Sequence, residues 1–528
     1  MARGEHGGQT STSGLLGGLS PQIEEKLSGN RKPCLMFTVA CVLSSIFALS
    51  ALSIITNSCE ERISASTFRS ASMERMAQNY RMHSFYSSED HSPSKKRKID
   101  SEEIVIDDVF KKSYNTNLKN IVFGIAASSK LWQSRKYYVR EWWQKRTMRG
   151  YVWLETPING TWDEFAPPFK ISANTSQFKY SRPKGNRAAL RLTRIVTETF
   201  KLGLKNVDWF VMGDDDTIIF TDNLVRMLSN YDPKQMHYIG SHSESHVQNT
   251  RFSYSMAYGG GGFAISYPLA RALATTQDGC LNRYPELFGS DDRVHACITE
   301  LGVPITKNQG FHQFDIRGNP MGLLAAHPMT PVLSIHHLDI IGSLFPRKSR
   351  LVALRLLMRA ARVEQASMFQ QTITYAQQRR YSFSISSGYV VRVYQGFVAP
   401  WELEEAPRTF YSWYGSKNHD HFPFDVREIP DDPCEKPTLF FLSKRFLNNT
   451  ASGCIETVYL KHRLSESNSN GCDERINSVE RIRVRSTPLD HSWFMPRRLC
   501  GRVEMWKNDT IDIFVRPCQQ GELVVGVH

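Results

Sequence analysis

Apolar positions are distributed along this chain in three different ways. Between positions 34 and 56 the run CLMFTVACVLSSIFALSALSIIT carries no charge over 23 residues. Residues 57–117 are rich in Ser, Lys, Arg, Glu and Asp and show little apolar periodicity, which predicts a flexible stem. From Asn120 onward, short apolar blocks alternate with amphipathic ones. IVFGIAAS reads as a buried strand, SRKYYVREWWQKR as a helix and YVWLE as a strand. RAALRLTRIVTETFKLGL reads as a long helix ending near Gly203, and DWFVMG as the next strand. Strands alternating with helices predict an α/β fold on a mostly parallel sheet with both faces covered.

The first run changes the address of everything after it. At about 1.5 Å per residue, a helix over 34–56 crosses a hydrocarbon core of roughly 30 Å. Lys26, Arg31 and Lys32 precede it and Glu60 and Glu61 follow. The positive-inside rule therefore predicts a type II anchor, with residues 1–33 a cytosolic tail and the remainder lumenal. A cleaved signal peptide is the alternative, but its apolar stretch should be shorter. Four N-x-S/T acceptors, at Asn159, Asn174, Asn448 and Asn508, all lie after the run, as a lumenal address requires. Cys434, Cys454, Cys472, Cys500 and Cys518 cluster near the C-terminus without C-x-x-C spacing, which points to disulfides rather than zinc. Cys280 and Cys297 flank an acidic stretch and are expected to pair.

With 41% apolar and 22% charged residues over 528 positions, the composition is globular, with room for about three domains. The net charge of +13 raises the question of nucleic acid. We expect none as a partner. The basic residues are scattered, and the run Lys95, Lys96, Arg97, Lys98 sits in the Ser-rich segment.

Candidate chemistry begins where the strand WFVMG runs into Asp214, Asp215 and Asp216. Carboxyl ends of strands in open α/β sheets are where ligands bind. Asp residues one position apart can present hard oxygens to Mn²⁺ or Mg²⁺ and, through the cation, to a diphosphate. A bare D-x-D is more often a solvated turn; here the apolar run before it argues against a surface location. AYGGGGFAIS places four glycines, Gly259 to Gly262, before another apolar run, which suggests close backbone approach to a ligand, with a mobile loop as the alternative. The run has neither G-x-G-x-x-G spacing nor a P-loop lysine, so a nucleotide triphosphatase is not expected. In FGSDDRVHACITELG, Ser290 is a candidate N-cap, and Asp291 and Asp292 open a helix ended by Gly302. The two acids either complement the helix dipole or include a general base. VLSIHHLD offers His336 and His337, either of which can complete a metal site begun by aspartates.

DWFVMGDDDTIIF, AYGGGGFAIS, FGSDDRVHACITELG and SIHHLD, in this order, resemble the Fringe-related β-1,3-glycosyltransferases, and in particular the plant Fringe-like branch with a long C-terminal extension. SRKYYVREWW is similar to the R-x-x-x-x-R-x-x-W signature of that superfamily at Arg135, Arg140 and Trp143. The likeness covers residues 118–345; residues 346–420 are similar to the plant branch alone, and 421–528 form a Cys-rich C-terminal domain without an assigned role. The resemblance implies a GT-A fold and an inverting transfer of a hexose or N-acetylhexosamine from a UDP-sugar, with Mn²⁺ or Mg²⁺, at the Golgi membrane. The acceptor would be a hydroxyl of a glycan, glycoprotein or glycosylated small molecule. By motif, Asp214 and Asp216 would serve the metal, with His336 or His337 as a further ligand. Asp214, Asp215, Arg135, Arg140, Gly260 and Gly261 would lie on the donor side. Asp292 best matches the catalytic base, with Asp291 its neighbour and competitor. GDDDT is followed by Ile-Ile where relatives often have a more aromatic strand, and the glycine run is longer than usual. An inactive glycan-binding protein of the same fold is the competing reading. A glycoside hydrolase also uses two carboxylates, but does not explain adjacent aspartates at a strand end.

Overall fold

The computed structural model describes residues 114–526 except 379, 416–418, 449–452, 464–473 and 490–496. The expected tail, membrane anchor and stem lie outside the described residues, apart from the last positions of the stem. No helix among the described residues is long and apolar enough to cross a membrane.

The first half is a seven-stranded sheet. Its elements are β1 (Ile121–Ala126), α1 (Trp132–Trp142), β2 (Arg149–Leu154), β3 (Phe169–Ile171), α2 (Ala188–Lys201), β4 (Trp209–Asp214), β5 (Ile218–Ile219), α3 (Thr221–Leu228), β6 (Tyr238–Gly240), α4 (His246–Arg251), β7 (Phe263–Ser266), α5 (Tyr267–Arg283), α6 (Asp291–Glu300) and β8 (Ile305–Lys307). Strand order is β3-β2-β1-β4-β7-β6-β8. β1 and β4 are buried along almost their whole length, which is why they read as unbroken apolar runs rather than as alternation. They pair in parallel with Ala126 opposite Asp214, so their carboxyl ends lie side by side.

Four of the six pairings in this sheet are parallel, in line with the expected mostly parallel sheet, and one strand departs. β7 runs antiparallel to both β4 and β6, so the sheet is mixed. The reason bears on function. Met212 near the end of β4 pairs with Phe263 at the start of β7, so the glycine run just before β7 arrives beside the aspartates. A parallel β7 would start at the opposite edge of the sheet.

A second, three-stranded sheet brings in the histidines. β9 (Phe311–His312) and β11 (Ser334–Ile335) are parallel, and β11 is antiparallel to β5 with Ile335 opposite Ile218. Asp216 precedes β5 and His336 follows β11, so antiparallel pairing sets them together. Between β9 and β11, β10 (Ile316–Gly318) pairs with the much later strand Phe410–Ser412.

The second half is a closed eight-stranded barrel made of Gln371–Ala376, Tyr381–Ser386, Val390–Gln395, Thr438–Leu447, Ile455–Lys461, Arg481–Ser486, Thr510–Arg516 and Cys500–Lys507. Its strands fall on both sides of residue 420, where the sequence suggested a boundary. The barrel and the first sheet share one hydrophobic core, which runs from Ile121 to Val515. Cys280 and Cys297 are bonded, tying α5 to α6, and Cys500 bonds Cys518. Cys434 is also disulfide-bonded.

Candidate active site

Three adjacent carboxylates at a buried strand end need positive charge. Arg135, on the inner face of α1, supplies part of it. Its guanidinium reaches Asp215 Oδ1 at 2.9 Å, Asp216 Oδ2 at 3.1 Å and Asp339 Oδ2 at 2.7 Å. Burial opposes its charge, but Asp216, Asp215 and Asp339 together hold it firmly protonated. Arg135 therefore clamps the acidic turn. Asp339 ends SIHHLD, and in the sequence one Asp beyond a His pair carries no pattern of its own.

One guanidinium does not balance four carboxylates. Asp214, Asp216 and His336 each offer a ligand atom, all within 4.8 Å of one another. His336 Nε2 lies 3.1 Å from Asp216 Oδ1 and 3.6 Å from Asp214 Oδ2. Burial lowers the His336 pKa, but Asp216 and Asp214 outweigh it and raise it to about 9. Burial alone would raise Asp216; His336 and Arg135 instead hold it far below the usual carboxylate range. Asp214 is raised, chiefly by burial. For Asp215, burial and the nearby Asp216 charge act against the pull of Arg135, and Oδ2 has no hydrogen-bond partner among the described residues. Surplus negative charge, carboxylate oxygens and one imidazole suit a divalent cation of the Mn²⁺ or Mg²⁺ kind.

His337 points elsewhere. Its Nδ1 lies 3.5 Å from Asp315 Oδ1 and 3.3 Å from the Phe314 carbonyl, leaving His336 alone in the metal group. Arg140 is also apart: its guanidinium lies over Phe165 at 5.0 Å, with Asp163 at 3.9 Å.

The glycine run does require close approach, but to the protein's own side chains. A Cβ on Gly260 would stand 2.1 Å from His336 Cε1, and one on Gly259 would stand 2.5 Å from Asp291 Oδ1. The strand backbone is pinned beneath them. Thr217 Oγ1 accepts from the Asp214 amide at 2.8 Å and donates to the Gly260 carbonyl at 2.7 Å, while Gly261 N–H donates to Gln313 Oε1 at 2.6 Å. Gly260→Ala should thus displace the imidazole and weaken Mn²⁺ binding by about tenfold or more, the scale seen when the support of a metal ligand is lost. Isothermal titration of the folded variant checks this; affinity equal to the wild type would mean that His336 is not a ligand.

At the start of α6 the structure separates the two acids. Ser290 makes no cap bond with its side chain; its hydroxyl donates to Asp291 Oδ1 at 3.0 Å instead. The turn is held by Asp292, whose two oxygens accept from Phe288 N at 2.8 Å and Gly289 N at 3.0 Å. Asp291 faces the glycine run. Burial is the main cause of its rise to about 6, opposed by the Gly259 amide and reinforced by the charge of Asp214. Asp292 is also raised by burial, with the Gly289 and Phe288 amides pulling it back.

A further cation escaped the sequence reading. Arg191, on α2, donates to the carbonyls of Trp153 and Ala127 at 3.0 Å each and lies within the field of Asp214 and Asp215. An amphipathic helix pattern gives no hint of it.

A strand-end acid cluster and a histidine able to hold a divalent cation thus stand across a glycine run from a helix-start acid. Residues 116–319 match the family described as Fringe-like, and residues 248–501 match a second described as a protein of unknown function, DUF604. The chain is 30% identical over 132 residues to β-1,3-glucosyltransferase of Mus musculus, covering 25% of this chain and 26% of that protein. It is 29% identical over 164 residues to UDP-GlcNAc:betaGal β-1,3-N-acetylglucosaminyltransferase 7 of Rattus norvegicus (26% and 40%). It is 27% identical over 207 residues to the β-1,3-N-acetylglucosaminyltransferase lunatic fringe of Danio rerio (37% and 54%). The chain thus spans from a quarter to about half of these relatives. Among solved structures it is similar to galactosyltransferase LgtC with donor and acceptor sugar analogues, at TM-score 0.28 and 13% identity over 44% of this chain and 94% of that one.

Proposed function

We propose that the chain is an inverting glycosyltransferase with a GT-A catalytic half, which moves a hexose or N-acetylhexosamine from a UDP-sugar to a glycan or glycoconjugate hydroxyl, as a β-1,3 linkage. The observation that carries this reading is the Asp214, Asp216 and His336 group set against Asp291, with Gly259 and Gly260 packed between them. The Fringe-like match and the β-1,3-glycosyltransferase relatives support it. A type II Golgi location belongs to the same proposal, on the sequence features alone: the uncharged apolar run at 34–56, the charges that flank it and the acceptor asparagines that follow it.

Asp214, Asp216 and His336 would hold the cation. When bound, it supplies neutralisation of the charge growing on the departing diphosphate. Arg135 fixes Asp215 and Asp216 in place and, with His336, keeps Asp216 ionised. Asp291 takes the proton from the acceptor hydroxyl as that oxygen bonds to the anomeric carbon and the sugar–diphosphate bond breaks on the opposite side. One displacement inverts the centre. Asp292 holds the turn from which Asp291 projects.

The full-length protein incubated with a panel of UDP-sugars should release UDP from one of them, with loss on EDTA treatment and recovery with Mn²⁺. Release of UDP from none, together with no UDP binding, overturns the proposal. Turnover indifferent to EDTA points to the hydrolase chemistry instead.

A further inference from the structure

The Fringe-like match ends at residue 319, yet the surroundings of His336 are completed by residues far beyond it. The His336 ring stacks on His337 at 3.8 Å between centroids, inclined by 30°. His337 in turn stacks on Trp413 at 4.9 Å and only 13°. The Arg317 guanidinium lies 4.6 Å from the centre of the Trp413 ring, and its Nε donates to the Trp413 carbonyl at 2.9 Å. Trp413 reaches this place because the strand Phe410–Ser412 pairs with β10, Ile316 standing opposite Ser412.

His337 also has a left-handed backbone, with φ at 58°. A non-glycine residue stays there only when its surroundings fix it. Asp315 and the Phe314 carbonyl hold the edge of the ring, and Trp413 covers it. His336 is then packed against Gly260 and His337, with its Nε2 toward Asp216.

We propose that Trp413 is a positioning residue for the metal centre, so that the segment after the Fringe-like match supplies both His336 and the ring stack that orients it, while Asp214 and Asp216 lie within the match. This rests on the metal reading above. Without the indole, His337 loses the surface against which it is stacked, and His336 loses the ring that fixes its own orientation. Groups that orient metal ligands typically change affinity 10- to 100-fold when removed.

The test uses the full-length chain, with Mn²⁺ itself as the probe, followed by electron paramagnetic resonance of the free ion. Trp413→Leu keeps apolar volume without a ring to stack; Trp413→Phe keeps a ring. The Leu variant should bind Mn²⁺ at least about tenfold more weakly than the wild type, and the Phe variant should recover most of the difference. A purely structural role would make the two alike. Equal affinity of the Leu variant and the wild type overturns this inference alone. If either variant fails to fold, Arg317→Gln, which removes the guanidinium over the indole, should weaken Mn²⁺ binding in the same direction; unchanged affinity there overturns the inference equally. A wild type that binds no Mn²⁺ overturns the metal reading and this inference with it.

Discussion

Asp216→Asn is expected to lose Mn²⁺ and UDP-sugar binding together. Asp216 is fully buried, lies 3.1 Å from His336 Nε2 and is held ionised by His336 and Arg135. Asparagine keeps the shape and removes the charge. A carboxylate beside a divalent cation at an effective dielectric near 20 contributes several kcal/mol. Affinity should therefore fall on the order of a hundredfold or more, since about 1.4 kcal/mol is a factor of ten. The fold should survive, because Arg135 retains Asp215 at 2.9 Å and Asp339 at 2.7 Å. Calorimetric titration of Mn²⁺ in the presence of UDP distinguishes the outcomes. Retained affinity would show that the acidic turn serves only the arginine and that the cation, if any, binds elsewhere.

That arginine marks the boundary of what the sequence could reveal. The acidic turn was legible because an apolar run that breaks into three carboxylates has no cheap explanation, and the end of a strand in an α/β sheet gives it a place. The Cys280–Cys297 bond was legible from flanking positions. Arg135 was noticed, yet its partner Asp339 lies more than 200 residues away and becomes visible only when β11 pairs with β5. The direction of β7 was not legible either, since FAIS, buried at every position, reads the same whichever way the strand runs. The barrel was hidden for a different reason. Its strand YSFSIS buries every residue, serines included, and VVRVYQ buries Arg392. Arg392 is held there by Ser384, Tyr394 and the Ala325 and Leu403 carbonyls. Polar residues at such positions suggest a solvated face, because a buried hydrogen-bond network leaves no mark in a hydrophobicity pattern. The role of the extension was hidden for the same reason as Asp339: Trp413 meets His337 only through the pairing of β10 with a strand of the second half.

Asp291→Asn should abolish transfer, falling on the order of a hundredfold or more, the usual scale for a lost general base, while UDP-sugar and Mn²⁺ binding persist. Asp291 is the acid that faces the glycine run and feels the charge of Asp214. Its pKa of about 6 also gives a direction in pH. A base acts as the carboxylate, so kcat/KM should fall as pH drops through that region and level off above it; a cation bound nearby favours the carboxylate and moves the fall to lower pH. Asp292→Asn should behave differently. Each Asp292 oxygen accepts from a backbone amide of the turn before α6, so the neutral amide side chain keeps at most one of those bonds and loses the charge. A cost of about 1–3 kcal/mol in stability is expected, with transfer largely retained at temperatures where the variant is folded. Motif likeness alone favours Asp292 as the base, so the two readings diverge sharply. Single-turnover transfer and thermal unfolding, measured side by side on both variants, separate them. If Asp292→Asn is inactive with its stability intact and Asp291→Asn still transfers sugar, the base is Asp292 and Asp291 serves only to pack against Gly259; if both remain active, neither acid is the base.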